Sequence, residues 1–308
     1  MPHPSVHSPV PMLGAPTASG KSAVALELAR RFPLEIISAD AMQVYRDMDI
    51  GTAKPSAAER ASVPHHLIDL MSPAEPFSVA EWVDRAETAI ADVLARGRLP
   101  IVVGGTGFYL RALARGLPTV PQADAAVQEV LWRELEERGL ERLERELADS
   151  SPEDAERSQR NPRRVVRALE IVRRTGRPPS DFPPRPPKFE FSLAVLEPSI
   201  DELRPRIEAR CEQMFAAGLA SEVERLLERY PSRSTAMQAI GYKEVAAALA
   251  GQTNLEEARR AVSDATVRYA RRQLTWFRRE QAELRLPQLA APARPHLARW
   301  LERLTSWN

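Results

Sequence analysis

Residues 13–22 read LGAPTASGKS, and the reading of this stretch decides the fold. A phosphate-binding loop has Gly, four residues, then Gly-Lys-Ser/Thr, placed between a strand and a helix. Gly20-Lys21-Ser22 supplies the second half of that pattern. Counting back puts Ala15 where the first glycine belongs, with Gly14 one place early. The flanks suit the loop. Val10 to Leu13 is a short apolar run, and Ser22 to Arg31 has helical spacing, which gives strand, loop, helix. Gly20 allows the tight turn, and backbone N–H groups from Ala18 to Ser22 can face phosphate oxygens at the helix start. Lys21 would neutralise the anion, and Ser22 would hold Mg²⁺. Ala15 is tolerable if its φ is negative.

The same alternation continues outward. Leu34 to Ser38 reads as a buried strand that leads to Asp40. Phe77 to Arg96 has helical period and is closed by Gly97. Leu99 to Val103 is a third strand, ending in Gly104-Gly105-Thr106-Gly107. Strands alternating with helices predict a parallel α/β sheet, and ligands of such sheets bind at the carboxyl ends of the strands. Three polar clusters fall there: the glycine loop, Asp40 with its neighbours, and Gly-Gly-Thr. After Leu117-Pro118 the texture changes. Residues 123–174 are charged, amphipathic helix with a break near Ser150-Ser151-Pro152, followed by a proline-rich run, Arg177 to Lys188. Phe189 to Leu196 returns to strand, and Ile200 to Trp307 is mostly helical. The fold expected is a P-loop NTPase-like parallel sheet core with an inserted all-helical domain and a helical C-terminal part. Residues 1–9 are expected as a disordered tail, 10–122 and 189–308 as the α/β core, and 123–188 as the helical insertion.

Composition narrows the class. A chain of 308 residues, 44% of them hydrophobic, can build a sizeable core. No apolar run reaches membrane-spanning length, and the N-terminus lacks the pattern of a signal peptide. Cys211 is the single cysteine, which excludes an internal disulfide framework and fits a reducing cytosol. A cytoplasmic protein is expected. Four lysines (Lys21, Lys54, Lys188, Lys243) stand against 39 arginines, and three of the four lie in motif-like stretches. The net charge of +1 points to no particular partner, and with no large apolar stripe it favours a monomer.

The parts of a nucleoside triphosphatase are incomplete. Such enzymes place an aspartate at the end of an apolar strand to help hold Mg²⁺, whereas Leu99–Val103 ends in Gly104. No Asn-Lys-x-Asp guanine reader occurs. Asp40 can touch metal, take a proton from a nucleophile, or simply cap the turn before Met42 to Tyr45. A small-molecule kinase, a non-enzymatic RNA-binding protein and a prenyltransferase acting on free adenine nucleotides are the readings to weigh.

Seven stretches in order carry a resemblance: GAPTASGKS, SADAMQVYRDMDIGTAKP, PHHLIDL, VVGGTGFYLRAL, NPRRVVRALEI, MQAIGYKE and RRQLTWFR. The chain resembles the tRNA dimethylallyltransferase family, also called tRNA isopentenyltransferases, from about Pro11 to Pro287. The resemblance implies transfer of a dimethylallyl group from dimethylallyl diphosphate to N6 of the adenosine 3′-adjacent to the anticodon. The tRNAs concerned read codons that begin with U, and Mg²⁺ is required. The loop then holds a leaving group, and no residue is needed to orient a water.

By the same resemblance Asp40 and Thr106 are the catalytic candidates. Asp40 would accept the N6 proton, and Thr106 would approach the diphosphate or its bridging oxygen. Ala15, Pro16, Thr17, Ala18, Ser19, Gly20, Lys21 and Ser22 would bind the diphosphate, with Ser22 as the metal ligand. Contacts to the tRNA anticodon stem-loop are expected from Asp40, Ala41, Met42, Gln43, Thr106 and Gln128. Further contacts are expected from Arg163, Arg164, Val165, Val166 and Arg167, and from Gln238, Gly241, Tyr242 and Lys243. Arg271, Arg272, Gln273, Thr275, Trp276 and Arg278 complete that surface as a stacking and phosphate-gripping patch. No membrane contact and no stable protein partner are implied. The sequence departs from the family at Ala15, at Ala41 in place of a serine, and at Gln128, near which the family often has a basic residue. The target base must leave its stack to reach a buried donor, so a base-flipping entry is expected.

Overall fold

The computed structural model describes residues 8–305. The chain divides into two compact units, one formed by the segments up to Ala114 and from Lys188, the other by Arg115–Pro187. The tail expected at 1–9 and the helix end expected at Trp307 fall largely outside the described residues.

The first unit begins β1 (Val10–Gly14), α1 (Lys21–Leu28), β2 (Leu34–Ala39), α2 (Ala57–Ser62), β3 (His65–His66), α3 (Val79–Ala95), β4 (Leu99–Gly104) and α4 (Gly107–Arg115). The second unit holds α5 (Ala125–Arg138), α6 (Leu140–Ser150), α7 (Pro152–Ser158) and α8 (Pro162–Thr175). The chain then returns to the first unit with β5 (Phe191–Leu196), α9 (Ile200–Ala216), α10 (Leu219–Arg229), α11 (Tyr242–Leu249), α12 (Leu255–Arg278), β6 (Leu284–Leu286) and α13 (Ala290–Thr305).

The six strands form one parallel sheet in the order β3-β2-β4-β1-β5-β6. β1, β2 and β4 are buried along their whole length, as strands covered by helices on both faces must be. On one face Leu13, Ile36, Ile101, Val103, Ala194 and Leu196 pack with α1 and α13, around the fully buried Trp300 and Leu301. The pairing register sets the functional edge. Ala39 pairs with Gly104, Gly104 with Gly14, and Gly14 with Val195. The residues that follow, Asp40, Gly105 and Ala15, therefore leave the sheet at one level. Glycine at 104 is required by this closeness: a Cβ there would lie 2.1 Å from the Ala39 carbonyl oxygen.

Two strands escape the sequence reading. β3 and β6 are two and three residues long, too short for a period to show. The helical stretch at 123–174 resolves into four helices. Gly139 and Ser151 mark the joints between α5, α6 and α7, and Gln159 and Arg160, at positive φ, lie between α7 and α8. In that unit Leu131, Leu143, Leu147, Val165, Val166, Ala168 and Leu169 form a separate apolar core. Beside it the fully buried Glu170 carboxylate accepts from Gln128 Nε2 at 2.7 Å and the Asp124 N–H at 2.7 Å, and pairs with Arg167 at 2.7 Å. Burial pushes the Glu170 pKa up, but the bonds from Gln128 and Arg167 outweigh it and hold the carboxyl below its ordinary range.

Candidate active site

The glycine loop forms as the sequence predicts, with one shift in where the strain sits. Gly20 takes the left-handed conformation at φ 88° and opens α1, while the second left-handed residue is Ala18 at φ 61°. Ala15 is not among the positive-φ residues, so the missing glycine costs the backbone nothing. Gly14 has a different task. A Cβ on it would lie 2.6 Å from Phe277 Cε1, so this glycine makes room for α12. Gly105 and Gly107 repeat the device: added Cβ atoms would lie 2.4 Å from Gln273 Nε2 and 2.2 Å from Trp276 Cδ1. Three glycines at the sheet edge thus seat three residues of one helix.

Gln273 shows what that seating achieves. Its side chain is 5% exposed. Its Oε1 accepts from the Thr17 N–H at 2.9 Å, and its Nε2 donates to the Gly105 carbonyl at 2.8 Å. One carboxamide therefore fixes the spacing between the phosphate loop and the loop after β4. α9 secures the other side. Arg206 Nε donates to the Ala18 carbonyl at 2.8 Å, and Arg210 Nη1 donates to Thr17 Oγ1 at 3.2 Å.

The three polar clusters meet in a polar cleft at the carboxyl ends of the strands. Thr17, Lys21, Ser22, Ser38, Asp40, Gln43, Arg210, Tyr269 and Gln273 line it. Lys21 is the main charge on the loop side. Burial pushes its pKa down to about 8; the Asp40 carboxylate opposes this and Arg210 adds to it. The lysine ammonium donates to the Pro16 carbonyl at 3.5 Å, a long contact, so it retains donors for an anion. Burial likewise lowers the Arg210 pKa, with Asp40 opposing. Two desolvated cations and the first N–H groups of α1 make one end of the cleft strongly anion-seeking.

Asp40 faces them from the end of β2. Its Oδ1 accepts from the Met42 N–H at 2.9 Å and the Gln43 N–H at 3.3 Å, so the capping role and the cleft position coexist. Those two bonds engage Oδ1 and fix the direction of the carboxylate, leaving Oδ2 for the cleft. Thr106 Oγ1 accepts from the Ala41 N–H at 3.2 Å, and Tyr269 lines the cleft beside Gln273. Burial, then the Asp40 charge, push the Tyr269 hydroxyl up to about 12, so it stays protonated. Gln43 is equally fixed: its Nε2 donates to the Thr52 and Ala53 carbonyls, both at 3.3 Å, and its Oε1 accepts from Ser38 Oγ at 3.0 Å.

Other expected contacts fall elsewhere. Tyr242 is fully buried and its hydroxyl donates to Glu222 Oε1 at 2.6 Å, so it presents no surface. The same buried Glu222 accepts the N–H groups of Asp49, Ile50 and Gly51, which fixes the loop carrying Thr52 and Ala53. Val165 and Val166 are core residues, Arg167 turns onto Glu170, and Gln128 is spent on Glu170 as well. Arg163 and Arg164 are exposed, as are Gln238, Lys243, Arg271, Arg272, Thr275 and Arg278. Gly241 is buried at φ 99° and opens α11. Trp276 is half-buried against Gly107. Lys54 is 1% exposed and donates to the Tyr45 carbonyl at 2.8 Å and to Asp49 and Asp69 at 2.6 Å each; its three donors are consumed by the fold.

Arg206, Arg210 and Tyr269 escape the sequence reading. Arg210 has a faint signal, since it follows Leu203 and Ile207 along the buried stripe of α9. Tyr269 has none beyond its place on a helical face.

The IPP transferase model matches residues 43–280, and the isopentenyl transferase model matches residues 9–70. A tRNA dimethylallyltransferase of Thermus thermophilus is 56% identical over 275 residues, covering 89% of this chain and 91% of the relative. One of Deinococcus radiodurans is 48% identical over 299 residues, covering 96% and 97%. This chain belongs to the tRNA dimethylallyltransferase family. Solved structures agree. The tRNA isopentenylpyrophosphate transferase of Bacillus halodurans superposes with a TM-score of 0.70 at 36% identity, covering 97% of both chains. A eukaryotic dimethylallyltransferase described as acting on tRNA gives 0.72 at 28% identity, covering 88% of this chain and 70% of that one. In this setting the phosphate loop shares one cleft with the Asp40 carboxylate. Among the described residues no helix is long and apolar enough to cross a membrane.

Proposed function

We propose that this protein transfers the dimethylallyl group of dimethylallyl diphosphate to N6 of the adenosine 3′-adjacent to the anticodon, in tRNAs reading codons that begin with U. The observation that carries the reading is the opposition, in one cleft, of an anion-seeking loop and a carboxylate with one oxygen unspent. The diphosphate lies on the N–H groups at the start of α1, with Lys21 and Arg210 against its oxygens. The adenine enters beside Asp40. The N6 lone pair attacks C1 of the dimethylallyl group, the C1–O bond breaks, and diphosphate leaves with the bonding electrons. The N6 proton passes to Asp40. Charge develops on the leaving oxygen against cations that are already desolvated and in place, which lowers the barrier without reorganisation. Tyr269, held neutral, and Thr106 keep the Asp40 side of the cleft in position.

No group of three or more His, Cys, Asp or Glu side chains among the described residues could cage a metal. The Ser22 hydroxyl at the cleft suits Mg²⁺, which binds through few protein oxygens together with substrate phosphates and water. Mg²⁺ held there would offset part of the diphosphate charge. The exposed Arg163, Arg164, Arg271, Arg272 and Arg278 suit phosphates of the RNA.

The test is direct. The protein is incubated with labelled dimethylallyl diphosphate, Mg²⁺ and bulk tRNA, and the RNA is digested to nucleosides. Label on N6-dimethylallyladenosine is expected, and its absence rejects the reading. ATP-dependent phosphoryl release without tRNA would indicate a kinase instead.

A further inference from the structure

We propose that Phe108 is a stacking platform for the nucleobase beside the target adenine in the bound tRNA loop. The inference rests on the transfer reading above. The exposed large hydrophobic residues among those described are Phe108, Val130, Leu249 and Leu255, and only Phe108 is aromatic. A single exposed apolar residue is ordinary on a protein surface. This one differs in how it is held and where.

Phe108 is 48% exposed on the first turn of α4, opposite the buried face of Tyr109, Leu110, Ala112 and Leu113. Its ring meets Trp276 edge-on, with centroids 6.5 Å apart and planes at 82°. Trp276 is itself clamped. Gly107 lies against one side, and the Arg111 guanidinium stacks over the ring at 4.0 Å. Arg111 is fixed in turn by the buried Glu280 carboxylate, which accepts from its Nε at 2.8 Å. An apolar ring, about half exposed, is thus held against a side chain that is itself fixed on two sides.

The position joins this ring to the reacting centre. Phe108 lies two residues after Thr106, whose hydroxyl holds the Ala41 N–H next to Asp40. Arg271, Thr275 and Arg278, four and three residues apart on α12, share an exposed helical face with spacing suited to a backbone of phosphates. When a base is flipped from a stack, its neighbour loses a stacking partner, and the enzyme must offset that loss. A fixed aromatic face does so without selecting among bases, because every base has a π-face.

The experiment measures transfer kinetics with intact tRNA for wild type, Phe108→Ala, Phe108→Leu and Phe108→Tyr. Phe108→Ala is expected to raise KM for tRNA about ten- to a hundredfold. KM for dimethylallyl diphosphate, kcat at saturating tRNA and the melting temperature should stay unchanged. Phe108→Tyr should restore the tRNA KM, whereas Phe108→Leu, apolar but without a π-face, should not. A second arm uses tRNA made abasic at either nucleotide flanking the target. One of the two should raise the wild-type KM to that of Phe108→Ala and leave the variant indifferent. Wild-type transfer with an unchanged tRNA KM in Phe108→Ala, or full restoration by leucine, overturns the platform. Failure of the wild type to label adenosine overturns the transfer reading instead.

Discussion

Gly14 is the sharpest test of how the phosphate loop is built. A reading from the motif alone treats Gly14 as a displaced loop glycine and Ala15 as a defect. The structure makes Gly14 the seat of Phe277, which is 1% exposed. In Gly14→Ala the new Cβ meets Cε1 at 2.6 Å and Cδ1 and Cζ at 3.2 Å, so either the ring or β1 must shift. Overpacking of this kind costs about 1–3 kcal/mol. Stiffening the unfolded chain returns about 0.4–1 kcal/mol, because the residue is in a strand and not at positive φ. A net loss of about 1–2 kcal/mol is expected, read as a lower urea midpoint at unchanged m-value. Phe277→Leu costs stability by itself, but should absorb the new methyl. The double variant should therefore be more stable than the sum of the singles by about 1 kcal/mol. Additive losses, or a Gly14→Ala variant as stable as wild type, would refute the seating argument. Ala15→Gly should lower stability by about 0.5–1 kcal/mol and leave transfer unimproved.

Three further outcomes follow from the electrostatics. Lys21 is protonated below about 8, so KM for dimethylallyl diphosphate should be flat at lower pH and climb up to about tenfold per pH unit above it. Lys21→Arg should remove that climb, as steady-state kinetics between pH 6.5 and pH 9.5, on the order of three pH units, would show. Tyr242→Phe deprives the buried Glu222 of a donor and should cost about 1–3 kcal/mol in urea denaturation. Glu170 has a lowered pKa in the fold. Its contribution is present above the unfolded carboxyl value and lost as pH falls through the folded one. Acid should therefore destabilise the helical unit at Arg115–Pro187 once pH falls below the ordinary carboxyl value of 4.5, and Glu170→Gln should lose stability at neutral pH but show a shallower acid loss, by circular dichroism.

The strand-loop-helix units were legible because each rests on local pattern: buried runs at Val10–Leu13 and Leu99–Val103, and helical period from Phe77 to Arg96. The register that levels Asp40 with the loop was not legible, since it depends on pairing among β1, β2 and β4. Nor was the purpose of Gly14, Gly105 and Gly107, because their partners lie far along the chain in α12. The same distance hides Gln273, which the resemblance sets among the tRNA contacts and the structure places as a bridge between two loops. The resemblance sets Tyr242 among the tRNA contacts, together with Lys243. Only the buried Glu222 on α10 explains why it turns in. Arg210 has only the faint signal of its place after Leu203 and Ile207, which means little in so arginine-rich a chain until those neighbours are known to be buried.

The central claim is that Asp40 takes the N6 proton while the loop holds the leaving group, and Asp40→Asn tests it most directly. The substitution keeps the shape and an oxygen for the Met42 and Gln43 N–H groups, so binding should survive. The measurement is single-turnover transfer of labelled dimethylallyl from its diphosphate to tRNA, with tRNA affinity determined in parallel. The account predicts a rate lower by about 10²–10⁴ with tRNA affinity within a few-fold of wild type. A rate close to wild type, or a loss fully explained by weaker tRNA binding, would contradict it.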